Sequence, residues 1–439
     1  MALARSLRMR DLVILGLLFI GPAAPVGLFG TLDAQSGGVV PLVYLIATIV
    51  MGFTAWSYAL MSRVVPSAGA VYAYARVGIG ASAGFIAGWV ILLDYLFIPA
   101  VAYLFSGISL NALIPAIPIW GWTLAAVIIT TALNLTGLQK TRRITMTVLV
   151  VEVIVLALVL LGGLLVIWHQ GIQRPLWSPF TGDGGLSQAA VFGGVSVAVL
   201  SYLGFDAIST FAEENQGGKD KPGKATLWCL ILAGGLFIAQ TWLGALLSTW
   251  DSETLRLQPE LQGKAFYVMV SDAIAPWLGE ALAGIKAIGA AFSAMIGQAA
   301  AGRLLFSMSR EGTLPARLSQ IQGRSGLPAA AVLAAACVNA LLAVFAALLS
   351  DGLSLLVSFV DVGAICGFIL LHAAVIGYFL VKQRRRDSAA LVACGAMPVI
   401  GILVLLPVLL HMHLTALAAG GIWLAIGLLL LYRRKTADR

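Results

Sequence analysis

Charged residues are scarce in this sequence, and their scarcity limits the classes of protein to which it can belong. Only 10% of its 439 residues are Asp, Glu, Lys or Arg, whereas 60% are hydrophobic. Soluble domains carry roughly 25% charged residues, so a soluble globular protein and a disordered chain are both excluded. The four cysteines all lie in apolar stretches, so we expect neither disulfides nor a metal site.

Long apolar segments make up most of the chain instead. A transmembrane helix needs about 20 apolar residues, and the pattern predicts an all-α integral membrane protein with about twelve spans. The predicted spans are residues 11–35, 38–62, 82–110, 118–135, 143–168, 187–215, 223–249, 279–309, 328–349, 353–381, 388–410 and 413–432. The basic stretch at residues 5–11 leads into the first span without a small-residue cleavage site, so we expect no removable signal peptide.

The basic residues lie mostly on one side of these predicted spans. With the N-terminus in the cytoplasm, 23 of the 27 Lys and Arg residues fall in cytoplasmic segments, and only Arg174, Arg256 and Lys264 fall on the opposite side. Lys and Arg accumulate in cytoplasmic loops, so this bias predicts that both termini are cytoplasmic. The net charge of +8 therefore reflects membrane topology, and we expect no nucleic-acid partner.

Two of the predicted spans are interrupted near their middle. Residues 21–27 of span 1 are GPAAPVG, in which two prolines remove two N–H donors, and residues 201–206 of span 6 are SYLGFD. Irregular backbone at membrane depth survives only where it lines a cavity or is buried in protein. Because the interruptions are five spans apart, they favour an inverted-repeat transporter that binds its substrate at both breaks. A simple kink is the alternative for either one.

Four segments carry a resemblance to a known family. Residues 65–75 are VPSAGAVYAYA; span 3 has GW at 88–89 and LDYLFIP at 93–99; span 6 has GFDAIS at 204–209 and then EE at 213–214; span 8 ends in RLL at 303–305 and SREG at 309–312. On these motifs the sequence resembles the amino acid–polyamine–organocation superfamily. The span-3 motif is most similar to that of bacterial putrescine importers, whereas the span-6 motif is also shared with cationic amino acid transporters.

This resemblance implies a LeuT-type fold, in which two five-helix repeats of opposite orientation precede two further helices. We expect one transmembrane domain over residues 1–439, with repeats at 1–170 and 187–382 and the additional helices and tail at 388–439. The resemblance also implies a secondary active transporter of the bacterial cytoplasmic (inner) membrane that imports putrescine or a related polyamine by alternating access. An amino acid permease or exchanger is the alternative, and a non-transporting membrane sensor is a more distant one. No catalytic constellation or Walker A motif is present, so we expect neither an enzyme nor a cofactor.

The interruption of span 1 bears on the substrate. A helix N-terminus with free N–H groups binds anions, and in most amino acid transporters of the superfamily this position binds the substrate carboxylate. Pro22 and Pro25 remove two donors, which favours a substrate without an α-carboxylate. The other residues of 23–27 keep their N–H groups, so an amino acid is not excluded.

Putrescine carries two ammonium groups, so its site needs carboxylates or carbonyls at both ends and apolar or aromatic walls between them. Ionisable side chains inside a membrane are costly and point to functional sites, and aromatic rings hold ammonium groups through cation–π contacts. The predicted substrate-binding residues are Gly21, Pro22, Ala23, Ala24, Gly27, Asp94, Tyr95, Tyr202, Gly204, Phe205 and Asp206.

For several acidic residues, a structural role is the alternative to a role in binding or coupling. Asp206 either binds an ammonium group or proton, or caps the second half of span 6. Asp94 either faces the cavity or hydrogen-bonds to a neighbouring helix. Glu213 is an ammonium ligand, a proton site or a gate, or else it pairs with a lysine of residues 219–221. Glu214 is expected to be a solvated charge at a helix end.

Protons are favoured over sodium as the coupling ion. In this fold, sodium lies between span-1 carbonyls and hydroxyls of span 8, and span 8 offers only Ser293 at that depth. The candidate coupling or gate residues are Glu213, Glu152, Lys286 and Ser293, with Asp206 as a further proton carrier. Lys286 either replaces a cation as a fixed charge or extends to the outer surface. The expected partners are a small cationic substrate, protons and membrane lipid.

Overall fold

The structure, a computed structural model, describes residues 5, 7–172, 174–182, 185–321, 327–349, 352–410, 412 and 414–437. Arg324 and Arg439, two of the residues assigned to the cytoplasmic side, lie outside the described residues, as does position 413, where the twelfth predicted span begins. Within the described part, ten helices are long and apolar enough to cross a membrane, or eleven if one bent pair counts as a span. The predicted all-α, multi-span architecture is therefore confirmed.

The helices match the predicted spans to within a few residues. In chain order they are span 1a Met9–Ile20, span 1b Ala24–Ser36, span 2 Val40–Val64, span 3 Ala81–Leu113, span 4 Ile119–Thr136, span 5 Leu138–Gln170, span 6a Gln188–Leu200, span 7 Lys221–Leu247, span 8 Pro276–Arg310, span 9 Ala329–Ala347, span 10 Gly352–Ile376, span 11 Met397–Leu410 and span 12 Leu414–Ala437. Span 10 continues as a π-helical turn, Gly377–Lys382, and the short helix Ser388–Leu391 and π-helical turn Val392–Ala396 precede span 11.

The interruption of span 1 is confirmed as a bend. Span 1a ends at Ile20, span 1b begins at Ala24, and their axes differ by 44°. Gly21 has a φ of +77°, a conformation that glycine adopts at little cost. Pro25 lies in the first turn of span 1b, where a helix does not need the missing N–H group. Gly21 therefore ends span 1a, and Pro25 helps to start span 1b.

Span 6 is also interrupted. Span 6a has 13 residues, too few to cross a membrane alone, and after residues 201–205 the chain continues as a 3-10 helix, Asp206–Glu214, which we call span 6b. Gly204 has a φ of +115°, and a Cβ atom there would lie 2.9 Å from the ring of Phe19. Both the backbone conformation and the close approach of span 1a require glycine at this position.

Part of the segment after span 2 is helical, since Ala70–Gly78 forms a helix. It packs against spans 3 and 10, and a Cβ atom on Gly78 would overlap the Ala374 carbonyl of span 10. The connections also contain short elements that the apolar pattern does not predict. They are Ser178–Thr181, Ser252–Leu257, Pro259–Gln262, Ala265–Ala273 and the 3-10 turn Ala316–Ser319.

Span 3 is the central helix of the bundle. It packs against spans 8 and 10, while span 2 packs against span 7. Span 1a contacts span 6b and span 1b contacts span 6a, so the two interruptions lie together. The pairs 2–7 and 3–8 are each five positions apart, which is also the offset between equivalent helices of the repeats predicted at 1–170 and 187–382. The division into these repeats stays a prediction.

The tight contact at Gly78 predicts a stability defect. Gly78→Ala should destabilise the protein by about 1–3 kcal/mol because the added methyl group has no space beside the Ala374 carbonyl. Gly52→Ala, in span 2, is the matched control because its Cβ atom would meet no atom within 4 Å beyond the backbone of its own helix. Thermal unfolding of the detergent-purified variants measures both. Equal melting temperatures for Gly78→Ala and wild type would contradict the packing described here.

Candidate functional site

A cavity of about 110 Å³ lies beside both interruptions. Spans 1, 3, 5, 6 and 8 form its walls. The apolar part includes Ile98, Val101 and Phe105 of span 3. Six of the predicted site residues also line it: Gly21, Ala24, Gly27, Glu152, Lys286 and Ser293. Three predicted substrate-binding residues and three predicted coupling residues therefore share this cavity. The other predicted site residues do not line it: Pro22, Ala23, Asp94, Tyr95, Tyr202, Gly204, Phe205, Asp206 and Glu213.

Two side chains of opposite charge bind the backbone groups of one residue, Ala23, in the interruption of span 1. Glu152 Oε1 of span 5 accepts the Ala23 N–H at 3.1 Å, and Lys286 Nζ of span 8 donates to the Ala23 carbonyl at 2.8 Å. Glu152 is 1% exposed, and the two charges act on each other electrostatically. Lys286 therefore extends into the bundle and not toward the outer surface. This pair satisfies backbone groups that the helix break leaves without partners.

Two further side chains bind carbonyl groups of the same interruption. Gln240 Nε2 of span 7 donates to the Pro22 carbonyl at 3.0 Å, and Ser293 Oγ of span 8 donates to the Phe19 carbonyl. Sequence reasoning missed Gln240, although an amide at mid-span in an apolar helix is a detectable signal. Phe19 itself lines the cavity, and its ring lies against Gly204 and Gly297, where Cβ atoms would approach it to 2.9 and 2.6 Å.

Asp206 lies at the start of span 6b and is fully buried. Its Oδ2 atom accepts hydrogen bonds from the Tyr95 hydroxyl at 2.6 Å and the Tyr58 hydroxyl at 3.2 Å, and its Oδ1 atom accepts the Gly204 N–H at 3.2 Å. Three donors on one carboxylate favour its ionised form. Asp206 thus fixes the turn between spans 6a and 6b. Tyr58 was not predicted, because nothing in the sequence of span 2 distinguishes it from a packing residue.

Asp94 has different surroundings from Asp206. It is 1% exposed, and neither of its oxygens has a hydrogen-bond partner among the described residues. Its electrostatic neighbours are Asp206 and Asp361 of span 10, and Asp361 also has a buried oxygen without a partner in the described part of the chain. Span 10 can approach span 3 closely because Gly363 has no side chain. A Cβ atom at Gly363 would lie 2.8 Å from the backbone nitrogen of Asp94. The alternative that Asp94 bonds to a neighbouring helix finds no support.

Aromatic rings surround these carboxylates. The ring centroids of Tyr58, Phe205 and Phe368 lie 6.1 Å from one another, and all three residues are buried. Tyr202 lies apart from them, since its hydroxyl bonds to Thr48 Oγ1 at 2.6 Å and to the Tyr44 carbonyl of span 2 at 3.1 Å. Across the described residues, no group of three His, Cys, Asp or Glu side chains is suited to hold a metal ion.

Glu213 and Glu214 each pair with an arginine of span 8. Arg310 binds Glu213 through two bonds of 2.6 and 3.0 Å, and Arg303, 1% exposed, binds Glu214. The alternative role for Glu213, a pair with a lysine of residues 219–221, is therefore wrong. The expectation that Glu214 is solvated is also wrong, because Glu214 is 7% exposed. The lysines are nearer in the chain, but packing of span 8 against span 6b brings the arginines nearer in space.

The backbone also joins these elements at the N-terminal end of the bundle. Leu7 donates its N–H to the Glu214 carbonyl at 2.9 Å and accepts the Gln216 N–H at 2.8 Å. Glu213 accepts the Ala68 N–H from the loop after span 2 at 3.0 Å. Hydrogen bonds and ion pairs thus hold the elements together at this end of the bundle. The cavity lies on the other side of the interruptions, against span 1b and the second half of span 3.

Two broken helices that meet beside a largely apolar cavity with one acidic and one basic side chain, within a multi-span bundle, are the features of a membrane transporter. The chain belongs to the amino acid permease family, whose family model matches residues 12–428. It is 28% identical to the low-affinity putrescine importer PlaP of Escherichia coli, over 98% of this chain and 93% of that protein. It is 28% identical to the branched-chain amino acid permease BcaP of Lactococcus lactis, over 95% and 92% of the two chains. It is 26% identical to the methylthioribose transporter of Bacillus subtilis, over 99% and 94%. The prediction of a transporter, and not an enzyme, is confirmed.

The charge pair at Ala23 predicts non-additive effects on stability. Glu152→Gln and Lys286→Met should each destabilise the protein by about 3–5 kcal/mol, because each leaves one buried charge uncompensated. The double variant should be more stable than the sum of the two effects predicts. Glu253→Gln is the control, since its pair with Arg256 is exposed and contributes little. Additive losses in melting temperature would mean that the two charges do not depend on each other.

Proposed function

We propose that this protein is a secondary active importer of putrescine or a related polyamine, driven by protons across the bacterial cytoplasmic membrane. The observation that carries this proposal is the state of the N–H groups in the span-1 interruption. Those of Ala23, Ala24 and Val26 are bonded within the protein, at 2.8 to 3.1 Å, and the remaining residues of 22–26 are prolines. A substrate carboxylate would find no free donor along this segment, whereas a polyamine has no carboxylate and requires none.

The charges around the interruptions suit a cation with two ammonium groups. Glu152 lines the cavity, and Asp206 lies two residues beyond Gly204, which the cavity-lining ring of Phe19 contacts. The rings of Tyr58 and Phe205 add the aromatic wall that holds ammonium groups. The similarity to PlaP supports the same substrate class. Of the predicted substrate-binding residues, those at the two interruptions and Tyr95 of span 3 keep that role in this proposal.

We further propose that both termini are cytoplasmic, so that the cavity opens toward the outer half of the membrane. The pairs of Glu213 with Arg310 and Glu214 with Arg303 then close the cytoplasmic side. Delivery of the substrate to the cytoplasm requires both pairs to separate, because they join span 6b to span 8. This arrangement fits alternating access in a LeuT-type fold, with protons supplying the driving force.

An amino acid permease is the second candidate, and a specific observation favours it. Lys286 places an ammonium group in the same cavity as the Glu152 carboxylate. Two opposite charges in one cavity are complementary to a zwitterion, whose carboxylate would approach Lys286. The similarity to BcaP points in the same direction.

Substrate competition separates the two candidates. In liposomes containing the purified protein, labelled putrescine should enter when the outside is more acidic than the lumen. Unlabelled putrescine or spermidine should compete, while arginine, ornithine and leucine should not. Polyamines should also raise the melting temperature of the purified protein, because a ligand of the folded state stabilises it. Competition and stabilisation by amino acids alone would reject the polyamine proposal in favour of the second candidate.

Asp206→Asn should abolish or strongly impair uptake while the protein still folds, with a lower melting temperature because the bonds from Tyr95 and Tyr58 are weakened. The substitution keeps the size of the side chain but removes the negative charge that we assign to ammonium binding. Asp220→Asn is the matched control, since Asp220 lies beyond span 6b and pairs with Lys224 at 2.7 Å on the surface. Near-normal uptake by Asp206→Asn would remove Asp206 from the substrate site.

Reporter fusions test the orientation. A green fluorescent protein fused after residue 439 should fluoresce, and alkaline phosphatase fused at the same position should be inactive, because both results require a cytoplasmic C-terminus. Active alkaline phosphatase in that position would reverse the orientation and with it the assignment of the closed side.

A further inference from the structure

Two neighbouring carboxyl groups in the bundle have opposite surroundings. Asp206 accepts three hydrogen bonds, from Tyr95, Tyr58 and Gly204, which stabilise its ionised form. Asp94 accepts none from the described residues, although both of its oxygens are buried. An ionised carboxylate without a donor in a dry interior is strongly disfavoured, whereas the neutral acid tolerates such a position far better.

The groups that face Asp94 reinforce this difference. Asp206 approaches from span 6, Asp361 from span 10, Tyr58 from span 2, and Tyr95 is its neighbour in span 3. Its electrostatic neighbours within the described residues are thus carboxyl and phenol groups, and a second anion would be repelled by Asp206. A proton on Asp94 removes that repulsion. Pairs of acids whose environments differ in this way have separate roles, one as acid and the other as anion.

We propose that Asp94 carries the proton that moves with the substrate, and that Asp206 is the anion that receives the substrate's ammonium group. This inference rests on the proposed function and assigns its coupling site. The proton binds to the Asp94 carboxylate from external water and is released to cytoplasmic water, so the import step moves one proton with each substrate.

The burial of Asp94 explains why the movement of the proton is coupled to the movement of the substrate. With a proton on Asp94 and one ammonium group of the substrate on Asp206, neither acid is left as an uncompensated charge, and the bundle can close around them. The second ammonium group of the substrate falls to Glu152, the cavity carboxylate proposed above. Without the proton, Asp94 would be a buried anion with no partner, so the site must stay open to water. The other carboxylates are less suited to this role. Glu213 is held by Arg310 through two bonds, and Glu152 bonds to Ala23 beside Lys286.

The test compares Asp94→Asn with Asp206→Asn in liposomes that contain a pH-sensitive dye. With wild type, external putrescine should acidify the lumen, and an inward proton gradient should drive accumulation. Asparagine mimics a permanently protonated Asp94, so Asp94→Asn should bind putrescine within about threefold of wild type and exchange it across the membrane. It should move no protons and should lose gradient-driven accumulation. Asp206→Asn should lose binding instead.

Several outcomes would overturn the inference. One is an Asp94→Asn variant that still acidifies the lumen on addition of putrescine, and another is a variant that loses putrescine binding as Asp206→Asn does. If Asp94→Asn fails to fold, Asp94→Glu takes its place: it keeps the acid and should keep proton movement with a shifted pH dependence, and its failure to move protons while still binding substrate counts against the inference. If wild type takes up an amino acid and no polyamine, the proposed function fails, and the same dye assay tests Asp94 with that amino acid.

Discussion

The structure depends on one constraint: backbone groups released by a broken helix inside a membrane must find partners within the protein. The span-1 interruption meets it with Glu152, Gln240 and Lys286, from three different spans, together with Ser293. Spans 5, 7 and 8 must therefore surround the interruption at fixed distances. The cavity exists because these helices approach the break closely enough to bond to it without filling the space beside it.

Charge compensation then divides the interior into two regions. Where acidic and basic side chains occur together, as with Glu214 and Arg303, they hold helices to one another. Around Asp94, Asp206 and Asp361 the ionisable neighbours among the described residues are acids and phenols. Such a region is suited to take a positive partner from outside the protein, as a proton or a cationic substrate. The positions of a few charged residues thus distinguish the region that holds the helices together from the region that binds the substrate and the proton.

Much of the fold could be predicted from the sequence, because the spans follow from apolar length and the interruptions from glycine and proline. The importance of Glu152, Lys286 and Ser293 was also predictable, since polar residues are rare at that depth. Their shared target was not: Ala23 lies 129 residues from Glu152 and 263 from Lys286, and no local pattern links them. The role of Tyr58 and the arginine partners of Glu213 and Glu214 likewise depend on helix packing, which residue spacing along one helix does not encode.

The ring of Phe19 occupies space that exists only because positions 204 and 297 lack side chains. The sizes of the residues at positions 19, 204 and 297 therefore depend on one another, although these positions are far apart in the chain. In the evolution of such sequences these positions cannot change independently: a side chain gained at position 297 has to be matched by a smaller residue at position 19, whereas position 204 also needs glycine for its φ of +115°. A correlation in size between positions 19 and 297, together with glycine at 204, should mark the sequences that retain this wall of the cavity.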